Sequence, residues 1–317
     1  MNERRPTPNG VAAAAERIAS AVTRTPLLPL DWQGRRLWVK AECLQQGGAF
    51  KLRGASNRLL QLDSAERARG VVAFSSGNHA QGVALAARRL GIAATIVMPA
   101  DAPAVKVEGT RAAGATIVFF DRATESREAI GARLAEESGA TLVPSFDDVD
   151  VIEGQGSVGV EIREQLGTAP PMVIVPCGGG GLSAGIALAL PESAIAIVEP
   201  EGWDDMARSL EKGEIVPVAE PAPPTRCDAL QTKLVSPLTF AALREAGARG
   251  LAVSEAEVAE AMRFAFRALR VVAEPGGAVA LAAVISGKVD PPEGSVIVIS
   301  GANVDPRLYA ELLSEGA

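Results

Sequence analysis

Short apolar runs alternate with alanine-rich amphipathic stretches along most of the chain. Seven runs rich in β-branched residues predict strands at 36–41, 71–75, 94–98, 116–120, 172–176, 194–199 and 295–300. Between them, apolar residues at helical spacing predict helices that include 80–91 and 254–270, the second starting with a Ser254–Glu257 capping box. Near-continuous apolar strands separated by helices are typical of a parallel sheet covered on both faces. The pattern therefore predicts an α/β protein.

Composition narrows the classes of partner. The 317 residues are 48% hydrophobic and 22% charged, as in an ordinary globular protein, with a formal net charge of −7. An acidic chain of this kind argues against nucleic acid and anionic membranes as general partners. The three cysteines, Cys43, Cys177 and Cys227, are too scattered for a disulfide framework or a zinc site, which favours a reducing, cytoplasmic location.

Four successive glycines, at 178–181, stand between a predicted strand and a predicted helix. Backbone N–H groups of such a loop converge at a helix N-terminus, where the helix dipole also favours an anion. The loop predicts a phosphate site, and three chemistries share the pattern.

Two of these chemistries leave other features unexplained. The spacing G-x-G-x-x-A from Gly179, with Glu199 as a ribose partner, indicates a nicotinamide oxidoreductase, but it does not explain a second glycine-and-serine loop at 75–82. The spacing G-x-S-x-G around Ser183 matches a hydrolase nucleophile, which needs a histidine later in the chain. The one histidine, His79, comes earlier, so the hydrolase hypothesis fails.

Lys51 supports the third chemistry. The stretch GGAFKLRGA, at 47–55, places this lysine among apolar and small residues, although only six of the 31 basic residues are lysines. A desolvated lysine has a lowered pKa, and its neutral amine attacks carbonyl groups. Pyridoxal phosphate is held by such a lysine, so the lysine and the glycine loop together predict this cofactor. The alternative is a solvated lysine at a helix start.

Other loops follow predicted strands, where ligands bind in open parallel sheets. SSGNHAQG, at 75–82, opens a helix, and its hydroxyls and N–H groups predict a carboxylate site, with simple helix capping as the alternative. We expect His79 to position this loop and to do no proton chemistry. Ser300 ends the last strand and offers a neutral hydroxyl to a pyridine nitrogen. EGQGSVG, at 153–159, is interpreted as a turn.

Together these motifs resemble the threonine/serine dehydratase and serine racemase family of fold type II pyridoxal phosphate enzymes. The resemblance runs from LWVKAECLQQGGAFKLRGA to ISGANVD, nearly the whole chain. It implies a tryptophan synthase β-like fold, with two open, twisted, mostly parallel sheets covered by helices. It also implies a large cofactor-binding domain, formed by 1–69 and 148–317, and a small mobile domain at 70–147.

The resemblance also implies roles for individual residues. Lys51 would form the Schiff base and remove the α-proton, and Ser76 would be the second catalytic residue, on the opposite face. The implied cofactor contacts are Phe50, Lys51, Asn78 at the 3′-oxygen, Gly178, Gly179, Gly180, Gly181 and Leu182 at the phosphate, and Ser300 at the ring nitrogen. The implied contacts of the substrate carboxylate are Ser75, Ser76, Asn78 and His79.

An acidic turn, EPEGWDD, follows the predicted strand at 194–199. By the resemblance, Glu199, the carbonyl of Trp203 and Asp205 would bind Mg²⁺ or Ca²⁺, which prefer oxygen ligands. The alternative is a solvated acidic turn.

The expected reaction is elimination of water from L-threonine or L-serine, followed by hydrolysis of the resulting enamine to a 2-oxo acid and ammonia. Amino-acid racemisation and dehydration of 3-hydroxyaspartate fit the same motifs. Gly47 and Ala49 stand where the family usually has threonine and serine, which leaves the substrate open. We expect a homodimer or homotetramer that acts on a small amino acid, without nucleic acid or membrane partners.

Overall fold

Two parallel-rich sheets organise the chain, whose computed structural model describes residues 4–75, 77–102 and 104–315. Strands are numbered β1 to β10 and α-helices α1 to α13 in chain order. The strands are Leu27–Trp32, Arg35–Ala41, Val71–Phe74, Ala94–Pro99, Thr116–Phe120, Thr141–Leu142, Met172–Pro176, Ala194–Pro200, Arg249–Val253 and Val296–Ile299. Within the described ranges, no helix is both long and apolar enough to cross a membrane.

The larger sheet has the strand order β1-β2-β10-β7-β8-β9. Its pairs are parallel except for the antiparallel hairpin of β1 and β2. The smaller sheet, β5-β4-β3-β6, is parallel throughout. All four of its strands lie inside the range predicted for the small domain; the boundaries and mobility of that domain stay predictions.

Helices cover both faces of these sheets. The α-helices are Pro8–Ile18, Leu52–Leu60, Ser64–Arg69, Asn78–Leu90, Ala104–Ala112, Arg127–Ser138, Val149–Leu166, Gly181–Ala189, Asp205–Lys212, Pro237–Glu245, Glu255–Phe264, Pro275–Ile285 and Pro306–Ser314. On β10, Ile297 and Ile299 pack into the core that contains α12, whereas Val296 and Val298 pack into the core that contains α8. Because alternate residues face opposite sides of a strand, a buried central strand must be apolar throughout.

The predicted fold class is confirmed, and the seven predicted strands are present. Three strands were not predicted, for physical reasons that differ. β1 contains Pro29 and Asp31, which an edge strand tolerates, and β6 is only two residues long. β9 starts with Arg249 and Gly250 and has a weak apolar pattern.

The interpretation of 153–159 as a turn is wrong, because this stretch lies inside the 18-residue helix α7. Its glycines allow close packing against α8. A Cβ atom on Gly185 of α8 would lie 2.5 Å from the backbone nitrogen of Gly156 and 2.5 Å from the carbonyl oxygen of Ile152. These small residues therefore set the distance between two buried helices rather than the geometry of a turn.

We predict that Gly185→Ala destabilises the protein, although alanine favours a helix by about 1 kcal/mol over glycine. The added methyl group would meet backbone atoms that cannot rotate away, and such overpacking costs about 1–3 kcal/mol. Gly109→Ala is the matched control, because a Cβ there meets only the flexible end of Gln81 at 3.2 Å. Equal melting temperatures for the two variants would contradict this account.

Candidate active site

A cavity lies between the two sheets, at the carboxyl ends of their strands. It is bordered by the loops after β3, β6, β7 and β10 and by the start of α2. The predicted residues that line it are Phe50, Lys51, Ser75, Asn78, His79, Gly178, Gly179, Gly180, Gly181, Leu182 and Ser300. Ser76, the predicted second catalytic residue, lies outside the described residues. The structure thus brings together the residues predicted for cofactor and substrate, and their individual roles stay predictions.

Lys51 is the only partly or fully buried lysine whose amine is not paired with a carboxylate among the described residues. Lys40 pairs with Glu161 and Lys106 pairs with Asp228, whereas the Nζ of Lys51 donates to the carbonyl of Ser145 at 3.0 Å. Burial lowers the pKa of Lys51 to about 8. A substantial fraction of this amine is therefore neutral near pH 8, as a nucleophile toward an aldehyde requires.

The glycine loop joins β7 to the N-terminus of α8. Gly180 has φ +83°, a left-handed conformation that favours glycine. A Cβ atom on Gly179 would lie 2.3 Å from the ring of Phe146, so a larger residue would displace that ring or the loop. The hydroxyl of Thr239 donates to the carbonyl of Gly179 at 2.8 Å and fixes the loop. The free N–H groups at the start of α8 make this a favourable phosphate site.

The loop after β3 leads into α4. Asn78 is buried, and its amide donates to Glu274 and accepts from Asn303 at 2.9 Å. The Nε2 of His79 donates to the carbonyl of Val143 at 2.8 Å, since a carbonyl can only accept. Burial, with the nearby charge of Lys51, lowers the pKa of His79 to about 3. The ring is therefore neutral at pH 7.

Several residues of the cavity were not predicted. Ser145 and Phe146 follow the two-residue strand β6, and recognition of that strand would have drawn attention to them. Arg122 comes two residues after the predicted strand at 116–120, a strand-end signal that the sequence analysis did not use, whereas Arg127, the first residue of α6, has no strand or glycine signal. The remaining unpredicted lining residues are Phe74, Gly77, Pro176, Asp228, Ala229, Leu230, Gln231 and Thr232.

The acidic turn lies behind the glycine loop, between β8 and α9. The carboxylate of Glu199 accepts hydrogen bonds from the N–H groups of Met206, at 3.3 Å, and Ala207, at 2.8 Å. Both oxygens of the buried Asp205 lack a hydrogen-bond partner among the described residues. Burial raises the pKa of Asp205 to about 7 and, with the charge of Asp205, raises the pKa of Glu199. The described residues contain no cluster of three or more histidine, cysteine or acidic side chains that could hold a metal.

Comparisons with known proteins agree with this geometry. The profile of the family described as "Pyridoxal-phosphate dependent enzyme" matches residues 18–301. An L-threo-3-hydroxyaspartate ammonia-lyase from Pseudomonas sp is 47% identical over 312 residues, covering 96% of this chain and 97% of that protein. An L-threonine ammonia-lyase from Thermotoga maritima is 42% identical, covering 89% of this chain and 71% of that protein. The structure of maize serine racemase has a TM-score of 0.90 and 37% identity, covering 98% of each chain.

The chain belongs to the pyridoxal phosphate-dependent enzymes. Within them it is a member of the fold type II family of threonine/serine dehydratases and serine racemases, which confirms the resemblance seen in the sequence. This membership decides against the dinucleotide interpretation of the glycine loop.

The cavity of this pyridoxal phosphate enzyme fits the cofactor. It offers the amine of Lys51, which has no carboxylate partner among the described residues, for the aldehyde. It also offers a glycine-lined helix N-terminus for the phosphate and the hydroxyl of Ser300, 6% exposed, for the ring nitrogen. Bound there, the cofactor withdraws electrons from the α-carbon of an amino acid and makes the α-proton acidic.

We predict that borohydride reduction attaches the cofactor to the peptide that contains Lys51. Lys51→Ala should carry no label, whereas Lys212→Ala, which removes an exposed lysine, should label like the wild type. Cofactor capture by the cofactor-free enzyme should accelerate roughly tenfold from pH 7 to pH 9, because an amine with a pKa of about 8 is mostly neutral above that pH. An amine with the usual lysine pKa would instead accelerate nearly a hundredfold. A label on another lysine would contradict the assignment.

Proposed function

We propose that this enzyme converts a β-hydroxy amino acid that carries a second carboxylate, of the 3-hydroxyaspartate type, into a 2-oxo acid and ammonia, by elimination of water and hydrolysis of the resulting enamine. The observation that carries this proposal is the presence of Arg122 and Arg127 in the cavity that contains Lys51. L-threonine and L-serine, the substrates first expected from the sequence, have no charged side chain for these arginines to bind.

Both arginines have N–H groups that donate no hydrogen bond to the described residues. The Nε of Arg122 donates to Asp101, and the Nε of Arg127 donates to Glu128, each at 2.7 Å. Among the described residues, none accepts a hydrogen bond from the terminal nitrogens of either guanidinium group. The guanidinium of Arg127 also lies 5.7 Å from the ring centre of Phe74, which lines the cavity. Guanidinium groups with free N–H pairs suit a carboxylate, which they bind through two parallel hydrogen bonds.

Residues of this chain would bind the substrate and move its protons. The N-terminus of α4 would bind the α-carboxylate, and Lys51, freed by the incoming amino group, would remove the α-proton. The β-hydroxyl leaves as water after protonation, and a second water releases ammonia from the resulting enamine. The net products of 3-hydroxyaspartate are oxaloacetate and ammonia. The hydroxyl of Ser300 would leave the ring nitrogen largely unprotonated, which favours elimination over transamination.

Racemisation is a second candidate, supported by the similarity to maize serine racemase. It requires a proton donor on the face opposite Lys51, the role predicted for Ser76.

We predict that Arg127→Gln lowers kcat/KM for 3-hydroxyaspartate about 10- to 100-fold, the value of a lost charge-assisted hydrogen bond, mainly through KM. The same variant should change kcat/KM for L-serine less than about threefold, because serine has no second carboxylate. Both values of kcat/KM are measured from the release of ammonia and 2-oxo acid, with a panel of 3-hydroxyaspartate isomers, L-threonine and L-serine as substrates.

Arg133→Gln is the matched control, since this exposed arginine lies on the same helix and pairs with Glu137. Two outcomes would contradict the proposal: equal losses on both substrates, or a wild-type preference for threonine or serine over every isomer of 3-hydroxyaspartate. Interconversion of L- and D-serine without 2-oxo acid would favour the racemase.

We also propose that Glu199, Asp205 and the carbonyl of Trp203 bind Mg²⁺ or Ca²⁺. The support is the pair of buried carboxylates, with two oxygens of Asp205 that lack a partner among the described residues. Unpaired buried carboxylates are costly, and a divalent cation would remove that cost.

The ion should therefore act on stability. Removal with a chelator should lower the melting temperature, and added Mg²⁺ or Ca²⁺ should raise it with increasing concentration. Asp205→Asn should abolish most of that dependence without loss of the cofactor colour, whereas Asp204→Asn, which removes a neighbouring and more exposed carboxylate, should keep it. A melting temperature indifferent to chelator and metal would mean that these buried carboxylates bind no cation.

A further inference from the structure

The loop before Lys51 is paired with the loop after Ser300. The N–H of Phe50 donates to the carbonyl of Ser300 at 3.1 Å, and the N–H of Ala302 donates to the carbonyl of Gly48 at 2.8 Å. An isolated bridge between Ala49 and Gly301 lies between these bonds. Two segments that are distant in sequence are thus held together on one side of the cavity.

Asn303 extends this pairing to a third segment. Its Nδ2 donates to the carbonyl of Gly47 at 2.8 Å and to the Oδ1 of Asn78 at 2.9 Å. Gly48 has φ +74°, and a Cβ atom there would lie 2.3 Å from the Oδ1 of Asn303. A glycine at this position leaves room for the asparagine, so the two residues form a matched pair.

These contacts leave Asn78 a single orientation of its amide. Its Oδ1 accepts from Asn303, and its Nδ2 donates to the carboxylate of Glu274. A rotation of the amide by 180° would place its NH₂ group against the NH₂ of Asn303 and its carbonyl against the carboxylate. In the observed orientation, one N–H remains beyond the bond to Glu274, on a residue that lines the cavity.

We propose that Asn303 is a positioning residue that fixes the amide of Asn78, so that an N–H donor, and not the carbonyl, faces the 3′-oxygen of the cofactor. Glu274 holds the other end of that amide, and the Nζ of Lys106, 3.6 Å from its second oxygen, supports its negative charge. The proposal rests on the predicted contact between Asn78 and the cofactor. It is independent of which amino acid is the substrate, so it and the proposed function can fail separately.

A double-mutant cycle on the holoenzyme tests this, with the absorption spectrum of the bound cofactor and its dissociation constant as readouts. Asn303→Ala should change the spectrum in the same direction as Asn78→Ala and raise the dissociation constant about threefold to tenfold, as for one lost hydrogen bond. In the Asn78→Ala background, Asn303→Ala should change neither quantity further. Asn303→Asp keeps the size of the side chain but loses both donors, and it should reproduce the effects of Asn303→Ala.

The melting temperature separates positioning from simple loop support. The bond from Asn303 to Gly47 is present in both backgrounds, so Asn303→Ala should lower the melting temperature in each, and more in the wild-type background, where the bond to Asn78 is lost as well. A spectral change that is additive with that of Asn78→Ala would overturn the proposal, because Asn303 would then act through the loop of Gly47 alone. An unchanged spectrum and dissociation constant in both Asn303 variants would also overturn it.

Discussion

An amine held in a cavity without a counter-charge is the constraint on which this site depends. Lys40 and Lys106 show how the same chain treats other buried lysines, since each lies within 2.6 Å of a carboxylate. Among the described residues, the amine of Lys51 has only the carbonyl oxygen of Ser145 as a partner, so its charged form is not compensated and burial lowers its pKa to about 8. Loops of both sheets line the cavity around this amine, and the fold holds it there without a carboxylate partner among the described residues.

Most of the fold was predictable because buried parallel strands must be apolar on both faces. The three strands that were not predicted are those for which this rule relaxes. β1 and β9 are edge strands, with Pro29 in the first and Arg249 and Gly250 at the start of the second, and β6 pairs over only two residues. The glycines of α7 led to the wrong prediction of a turn for another reason. A glycine signals either backbone freedom or lack of a side chain, and only the position of Gly185 on the facing helix shows that the second applies.

The predictable part of the site is the part set by local chemistry, namely a lysine among apolar residues, a glycine loop and residues at strand ends. Arg127 could not be found in this way, because it lies at a helix start in a chain with 31 basic residues. Arg122 follows the predicted strand at 116–120, but only the tertiary structure shows that both arginines line the cavity that contains Lys51. The contacts of Asn303 could not be predicted for a similar reason, since its partners lie more than 200 residues away in sequence.

The cavity draws on the two sheets unequally. Lys51, the glycine loop and Ser300 belong to segments around the six-stranded sheet, whereas both arginines follow β5 of the four-stranded sheet. In the proposed function, the residues that hold the cofactor and those that bind the second carboxylate of the substrate thus come largely from different stretches of the sequence. Substitutions around the start of α6 would then change which amino acid is the preferred substrate and leave the cofactor site intact, so that one scaffold could diversify during evolution.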